Sequence, residues 1–375
     1  MLKYRKTNRN VEAVMKRIFI KLLSITLCAV TLLSLCSCAV LDKITSNIED
    51  KPTDDTTKVP DSDVIPTVKY KRCDLKYTFL TVVEGEAEGT PAQISYSVLD
   101  TGNNTLTSLM IPVNTFVSGS NGNLGAEMQV NYFSKNAEGR GASVAYACEM
   151  LMERLENDLL LPCDYYMYFD KTSLSDLVNE LGGVKVSIPF EMSFSDGVVI
   201  PKGESTLDGE SFWKVMCYGS YKSGSELNAA KLLWTSVFYK LKEQVSSDTI
   251  SLFMLNVRGN LETDVPKTNG VDVFFLRKLL SLDGALYKFV SVDVQILTEG
   301  TTSFSVICKN ALVQKINSFM VLYETEIEAE DFDPELGFGN SGSAAISAAY
   351  NSTVAPSYAD TAEEIAKGKL NISSK

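Results

Sequence analysis

The sequence predicts an α/β fold: an α/β/α sandwich around a central mixed β-sheet, spanning residues 71–324. Two observations carry that prediction. Strand-like and helix-like segments alternate along this stretch. The first strands are joined by a short turn and later ones by helices, which mixes antiparallel with parallel neighbours.

The elements follow in order. Residues 77–83, 95–99 and 106–111 read as strands, the last two joined by the turn-rich Asp100-Thr101-Gly102-Asn103-Asn104. Residues 143–155 form a helix with Val144, Cys148, Leu151 and Leu155 on its apolar face. Residues 165–169 are a strand. Residues 173–181 are a helix, capped by Ser or Thr and stopped by Gly182-Gly183. A strand follows at 184–188, a long helix at 227–244 and another at 271–282. Residues 288–297 and 302–308 read as a closing hairpin around Thr298-Glu299-Gly300-Thr301, and 311–323 as a last helix. There is no internal repeat.

The chain has 375 residues, a net charge of −12 and no histidine. A Ser-His-Asp triad, a Cys-His dyad and a His-ligated zinc site are therefore excluded. Acid–base chemistry would fall to Asp, Glu, Tyr, Lys or Cys. The charge is unevenly spread. Lys3, Arg5, Lys6, Arg9, Lys16, Arg17 and Lys21 against Glu12 give residues 1–37 a charge of +6, so the remainder carries −18. Such a body does not attract nucleic acid, and its net charge argues against docking on anionic lipid.

Residues 1–37 read as a secretory signal. Met15-Lys16-Arg17 starts a basic region, and residues 22–36 are apolar apart from Ser and Thr. The alternative is a plain transmembrane anchor, for which the apolar run is short. Leu35-Cys36-Ser37-Cys38 resembles the lipobox of bacterial lipoproteins, with Cys38 as the acylated residue. Cys36 fits poorly, because Leu35 would then precede the acceptor. Lipidated Cys38 would anchor the protein to the cell membrane from outside, two or three chains giving stable attachment. Residues 38–70 read as a disordered acidic tether and 325–375 as a disordered, acidic, low-complexity tail. Cys73, Cys148, Cys163, Cys217 and Cys308 remain in the body: an odd number without CxxC pairs, so buried thiols rather than a disulfide framework, with one disulfide left open.

The segment Asp164-Tyr-Tyr-Met-Tyr-Phe-Asp170, then Leu181-Gly182-Gly183-Val184, then Leu207-Asp208-Gly209-Glu210 before a long helix, resembles the LytR-CpsA-Psr family of cell-envelope proteins. Leu109-Met110-Ile111-Pro112-Val113-Asn114-Thr115-Phe116-Val117 resembles the family's IPRDTYV element. The resemblance covers residues 75–325. It implies an α/β/α sandwich with an apolar tunnel for a polyprenyl lipid. It also implies transfer of a glycopolymer from polyprenyl pyrophosphate to peptidoglycan, with arginines on the pyrophosphate and aspartates working with Mg²⁺.

The charged positions of that pattern are mostly absent. Val113 and Asn114 stand in place of Arg and Asp. Cys217 and Gly219 stand where the family has YVRSR. Glu226 and Ala229 fall on its next charged helix, the alignment placing Ser223 and Ala230 there as well, and Pro91-Ala92-Gln93 lacks an early Arg/Asp pair. Of the few arginines left, Arg140, in a glycine-flanked loop before a helix, is the candidate phosphate ligand. Arg154 and Arg277 read as residues of solvated helix faces. Asp100, Asp164, Asp170, Asp196 and Asp208 read as turn and cap residues, or else as a set for Mg²⁺ or Ca²⁺. Tyr165, Tyr166, Tyr168 and Phe169 read as core, with sugar stacking the alternative. The Phe212–Met216 and Leu232–Phe238 runs read as helices covering the sheet; if the tunnel survives, they line it.

The resulting expectation is a noncatalytic envelope lipoprotein, a pseudoenzyme needing no cofactor, that binds a polyprenyl-linked wall glycopolymer or an envelope protein. The alternative is an active phosphotransferase using Mg²⁺.

Overall fold

The structure is a computed structural model that describes residues 70–117, 122–137, 141–218, 225–267, 270–282, 287–299, 302–332 and 344–352. The signal, Cys38 and the tether lie outside these residues except for Tyr70.

The described elements run β1 (Lys76–Glu84), β2 (Pro91–Asp100), β3 (Thr105–Ile111), α1 (Leu124–Ala137), α2 (Val144–Leu159), β4 (Tyr165–Phe169), α3 (Lys171–Glu180), β5 (Val184–Ile188), β6 (Met192–Ser193), β7 (Val199–Ile200), β8 (Gly203–Leu207), α4 (Gly209–Met216), α5 (Ser225–Gln244), α6 (Ile250–Arg258), β9 (Glu262–Thr263), α7 (Val271–Ser281), β10 (Tyr287–Ser291), β11 (Val294–Glu299), β12 (Thr302–Ile307), α8 (Lys309–Lys315) and α9 (Ala344–Tyr350). A π turn, Ile316–Met320, prolongs α8.

Six strands form the central sheet in the order β10-β3-β2-β1-β4-β9. β1, β2 and β3 pair antiparallel, while β4 and β10 add in parallel to β1 and β3. The sheet is therefore mixed, as the sequence implies. Successive strand residues face opposite sides. Leu80, Val82, Ile94, Tyr96, Leu109, Ile111, Tyr166 and Tyr168 join one buried cluster with α1, α2, α8 and α9. Phe79, Val83, Leu99, Leu106, Met110 and Phe169 join a second with α3, α4, α5, α6 and α7. Both faces are covered, which is the α/β/α sandwich.

Local chemistry sets the joints. Asp100 accepts from Lys76 Nζ at 2.7 Å and from the N–H groups of Gly102 and Asn103, which fixes the β2–β3 turn. Ser143 caps α2 through Tyr146 N–H. Gly183 sits at φ 88°, and a Cβ there would stand 3.0 Å from Thr206 Cγ2, so the stop between α3 and β5 requires glycine.

Four expectations need correction. The cap of α3 is Asp170, whose Oδ1 accepts from Ser173 N–H at 2.7 Å, not a Ser or Thr. The closing hairpin is β11–β12 alone; residues 287–291 form a separate strand, because Val292 N–H turns to Met110 O and Asp293 O takes Cys308 N–H. The last predicted helix becomes α8 and its π turn, ended by Val321 at φ 48°. The packed domain also runs past residue 324. Ile327 and Phe332 are buried, Asn317 holds Ile327 through both its N–H and its carbonyl, and α9 buries Ile346, Ala349 and Tyr350. The acidic composition of 325–335 hid these apolar anchors, spaced too far apart to give a period.

The five cysteines of the body are free, Cys148 and Cys308 buried and the others half-buried.

Candidate functional site

A cavity of about 190 Å³ lies between the sheet and the α5–α6–α7 layer. Its floor comes from strand residues that are small and hydroxylated: Thr81, Ser95, Ser97 and Ser108. Thr81 faces Ser95 across β1–β2, and Ser97 faces Ser108 across β2–β3. The two hydroxyls of the second pair satisfy each other at 2.7 Å. A leucine at any of these positions would fill the space, so the void is written into the strands. Trp234, Val237, Phe238, Phe253, Phe275 and Phe289 are among the walls. The exposed lining is almost wholly apolar despite this floor, and a void of this size has room for an apolar guest. Phe212 and Val215 pack in the same cluster but do not line it.

One end of the sheet gathers several positions singled out by the motifs. Gln93 lies near the start of β2 and Val113 and Asn114 follow β3, next to Glu84 at the end of β1. Gln93 Oε1 accepts from Trp234 Nε1 at 3.0 Å. Gln93 Nε2 points to Met110 Sδ at 3.6 Å. The carbonyl of Glu84 accepts from Trp213 Nε1 at 3.0 Å and lies 3.7 Å from Cys217 Sγ. Burial pushes the Cys217 thiol up to about 12, so it stays neutral and is no nucleophile at neutral pH. Val113 offers only its carbonyl, which takes Gly125 N–H at 2.7 Å. Asn114 is tied to β12: its Oδ1 accepts from Ser305 Oγ at 2.8 Å and its Nδ2 donates to Ser303 O at 3.2 Å. Ala229 is buried in α5. Arg140 and Gly219 lie outside the described residues, as does the side chain of Glu226.

The described arginines have other placements. Arg72 makes a two-point pair with Asp164 at 2.7 and 2.8 Å. Arg154 is not on a solvated face: it lies 3.8 Å from Glu127 and 3.7 Å from Asp158, both buried, and ties α1 to α2. Arg258 is buried at the end of α6, donates to Leu261 O and Val265 O, and lines the cavity. Arg277 is exposed on α7.

The carboxylates do not fit Mg²⁺. Asp100 serves its turn, Asp164 holds Arg72, Asp170 and Asp208 cap helices, and Asp196 pairs with Lys214. Among the described residues no group of three metal-ligating side chains converges.

The motif reading missed the hydroxyl floor. The residues alone do not mark it: Thr81, Ser95, Ser97 and Ser108 share one face with Phe79, Leu99, Leu106 and Met110 only once the strands are paired. The motif reading also passed over Lys231, which follows Ala229 by two residues and is fully buried.

Comparison with known proteins agrees with this frame. The profile of the LytR_cpsA_psr family matches residues 94–306. A Bacillus subtilis protein, polyisoprenyl-teichoic acid–peptidoglycan teichoic acid transferase TagV, is 30% identical over 119 residues, 30% of this chain and 28% of that protein. The match thus spans little more than a quarter of the relative's length. The crystal structure of B. subtilis TagV aligns with TM-score 0.52 and 20% identity, over 65% of this chain and 95% of that one. A Streptococcus agalactiae protein, gbs0355, aligns with TM-score 0.53 and 16% identity, over 64% of this chain and 86% of that one. At these identities the two structures speak for the fold.

Proposed function

The chain belongs to the LytR_cpsA_psr family, and from that premise we propose that it is an extracytoplasmic, membrane-anchored envelope protein that holds the polyprenyl chain of a lipid-linked glycopolymer without catalysing its transfer. The observation that carries this reading is the cavity. An apolar chain needs an apolar void, and the strands leave one, large enough for a short segment of such a chain, by placing hydroxyls where a core would place leucine. The name of TagV, a transferase of polyisoprenyl-linked teichoic acid, supports a ligand of that class.

The absence of catalysis is supported at the strand ends. A pyrophosphate calls for forked cations in a desolvated site. Val113, Asn114, Cys217 and Ala229 supply none, and Asn114 is already bonded to β12. The second reading, an active transferase, draws on the activity for which TagV is named and on the buried Lys231 beside Ala229.

Anchoring rests on Leu35-Cys36-Ser37-Cys38. Cys38→Ala is expected to leave unprocessed precursor without thioether-linked lipid, and unchanged lipid labelling would defeat it. Native mass spectrometry of the full chain extracted from membranes tests the ligand. The expected result is a protein that retains added polyprenyl phosphate; a protein that stays bare at saturating lipid contradicts the reading.

A further inference from the structure

Two of the helices over the cavity carry large apolar residues on their outward as well as their inward sides. The inward faces of α6 and α7 bury Phe253, Val257, Phe275 and Leu276. Their outward faces carry Leu252 and Leu255, 61% and 73% exposed and one turn apart on α6, and Phe274, 40% exposed on α7. A helix on the surface of a soluble domain ordinarily turns a polar face to water.

The cations of this face lie on α7, as Arg277 and Lys278, whereas α6 is bordered by Glu180 and Asp176, which accept from Asn256 and Asn260. Arg277 is exposed one turn beyond Phe274, and Lys278 Nζ lies over the Phe274 ring at 5.9 Å. Bulky apolar side chains with cations beside them are the pattern of a helix pair lying in a membrane interface, the cations reaching the headgroups. Among the described residues no helix is long and apolar enough to cross a membrane.

We propose that the outward face of α6 and α7 docks on the surface of an anionic lipid bilayer. Leu252, Leu255 and Phe274 enter the acyl boundary, and Arg277 and Lys278 meet the headgroups. The net charge of the body, which by itself argues against such docking, acts mainly from beyond the Debye length of about 8 Å and is screened. Arg277 and Lys278 stand beside Phe274, within that length of the headgroups, and it is this end of the face, away from Glu180 and Asp176, that meets them. Docking places the cavity one helix diameter, about 10–12 Å, from the bilayer. The choice of lipid over a second copy of the chain rests on the cavity reading above and on the cations at the rim.

The test uses the full chain in vesicles of phosphatidylcholine and phosphatidylglycerol in equal parts, with a phospholipid that carries a photoactivatable group on its acyl chain. Lipid adducts are expected on peptides covering 250–258 and 271–281. Leu255→Asp lies on the outward side, so its fold and its binding of a fluorescent prenol in solution should be unchanged. Its adducts should fall at least about tenfold, the worth of burying one leucine. Adducts confined to residues before 70, equal labelling of Leu255→Asp, or protein–protein cross-links at these peptides in place of lipid adducts would overturn the proposal. Lipid adducts on α6 and α7 together with no prenol binding would uphold the docking face and defeat the cavity reading.

Discussion

Trp234 donates its indole N–H to the side-chain carbonyl of Gln93 across 3.0 Å, joining α5 to the start of β2 beside the cavity. Both residues are buried. Gln93→Met keeps the volume and removes the acceptor, which leaves the indole N–H unpaired away from water. The expected loss is about 1–3 kcal/mol, read by urea unfolding of the full chain. A midpoint equal to that of the parent would show that the bond contributes nothing.

The cavity makes the opposite kind of prediction. Ser108→Leu fills space that the Ser97–Ser108 pair leaves open. Binding of a fluorescent prenol should weaken at least about tenfold, ~1.4 kcal/mol. Thermal stability should change little, the buried leucine offsetting the Ser97 hydroxyl that loses its partner. Unimpaired binding would place the ligand elsewhere.

Much of this was legible in the sequence, for identifiable reasons. β4 and β5 match their expected residues because each is a short β-rich run bounded by a turn or cap residue. The void was not legible from composition, because Ser95, Ser97 and Ser108 read as ordinary strand residues until the pairing puts them on one face. α6 escaped as well: its apolar residues Leu252, Phe253, Met254 and Leu255 point both ways, so no helical period marks it. The strand-end positions were readable from motif order alone. Asn114 was picked out by its place in the motif, but its bonds to Ser303 and Ser305 join residues nearly two hundred apart and needed the fold.

Asp164 gives a pH signature. Burial alone would raise its carboxyl, but Arg72 and the N–H and hydroxyl of Thr78 outweigh that and hold it below the ordinary carboxylate value. A group depressed in the folded state adds stability that is fully present above its unfolded value, about 3.9, and is lost as pH falls through the folded value. Melting temperature should therefore fall as pH drops below about 4. Asp164→Asn should lower stability at pH 7 by roughly 2 kcal/mol and flatten the acid limb. Parallel limbs for the two proteins would remove Asp164 from the account.

The C-terminal helix gives the third stability test. Tyr350 is fully buried, Lys309 Nζ lies 5.4 Å from its ring, and Ser352 O accepts from Cys308. Tyr350→Ala should cost on the order of 3–5 kcal/mol in chemical denaturation, the range for a buried aromatic. A loss within ~0.5 kcal/mol, as for a surface change, would return the end of the domain to residue 324.

Phosphorus NMR of the full chain in detergent, with a polyisoprenyl pyrophosphate-linked glycan, Mg²⁺ and peptidoglycan fragments, tests the central claim most directly. The pyrophosphate signals report both events at once: broadening marks a lipid held by the protein, and conversion marks transfer. The account predicts broadened signals whose total intensity stays constant, and relief of the broadening in Ser108→Leu. New phosphodiester or phosphomonoester signals that grow with time, and that vanish in Arg140→Ala, would contradict it.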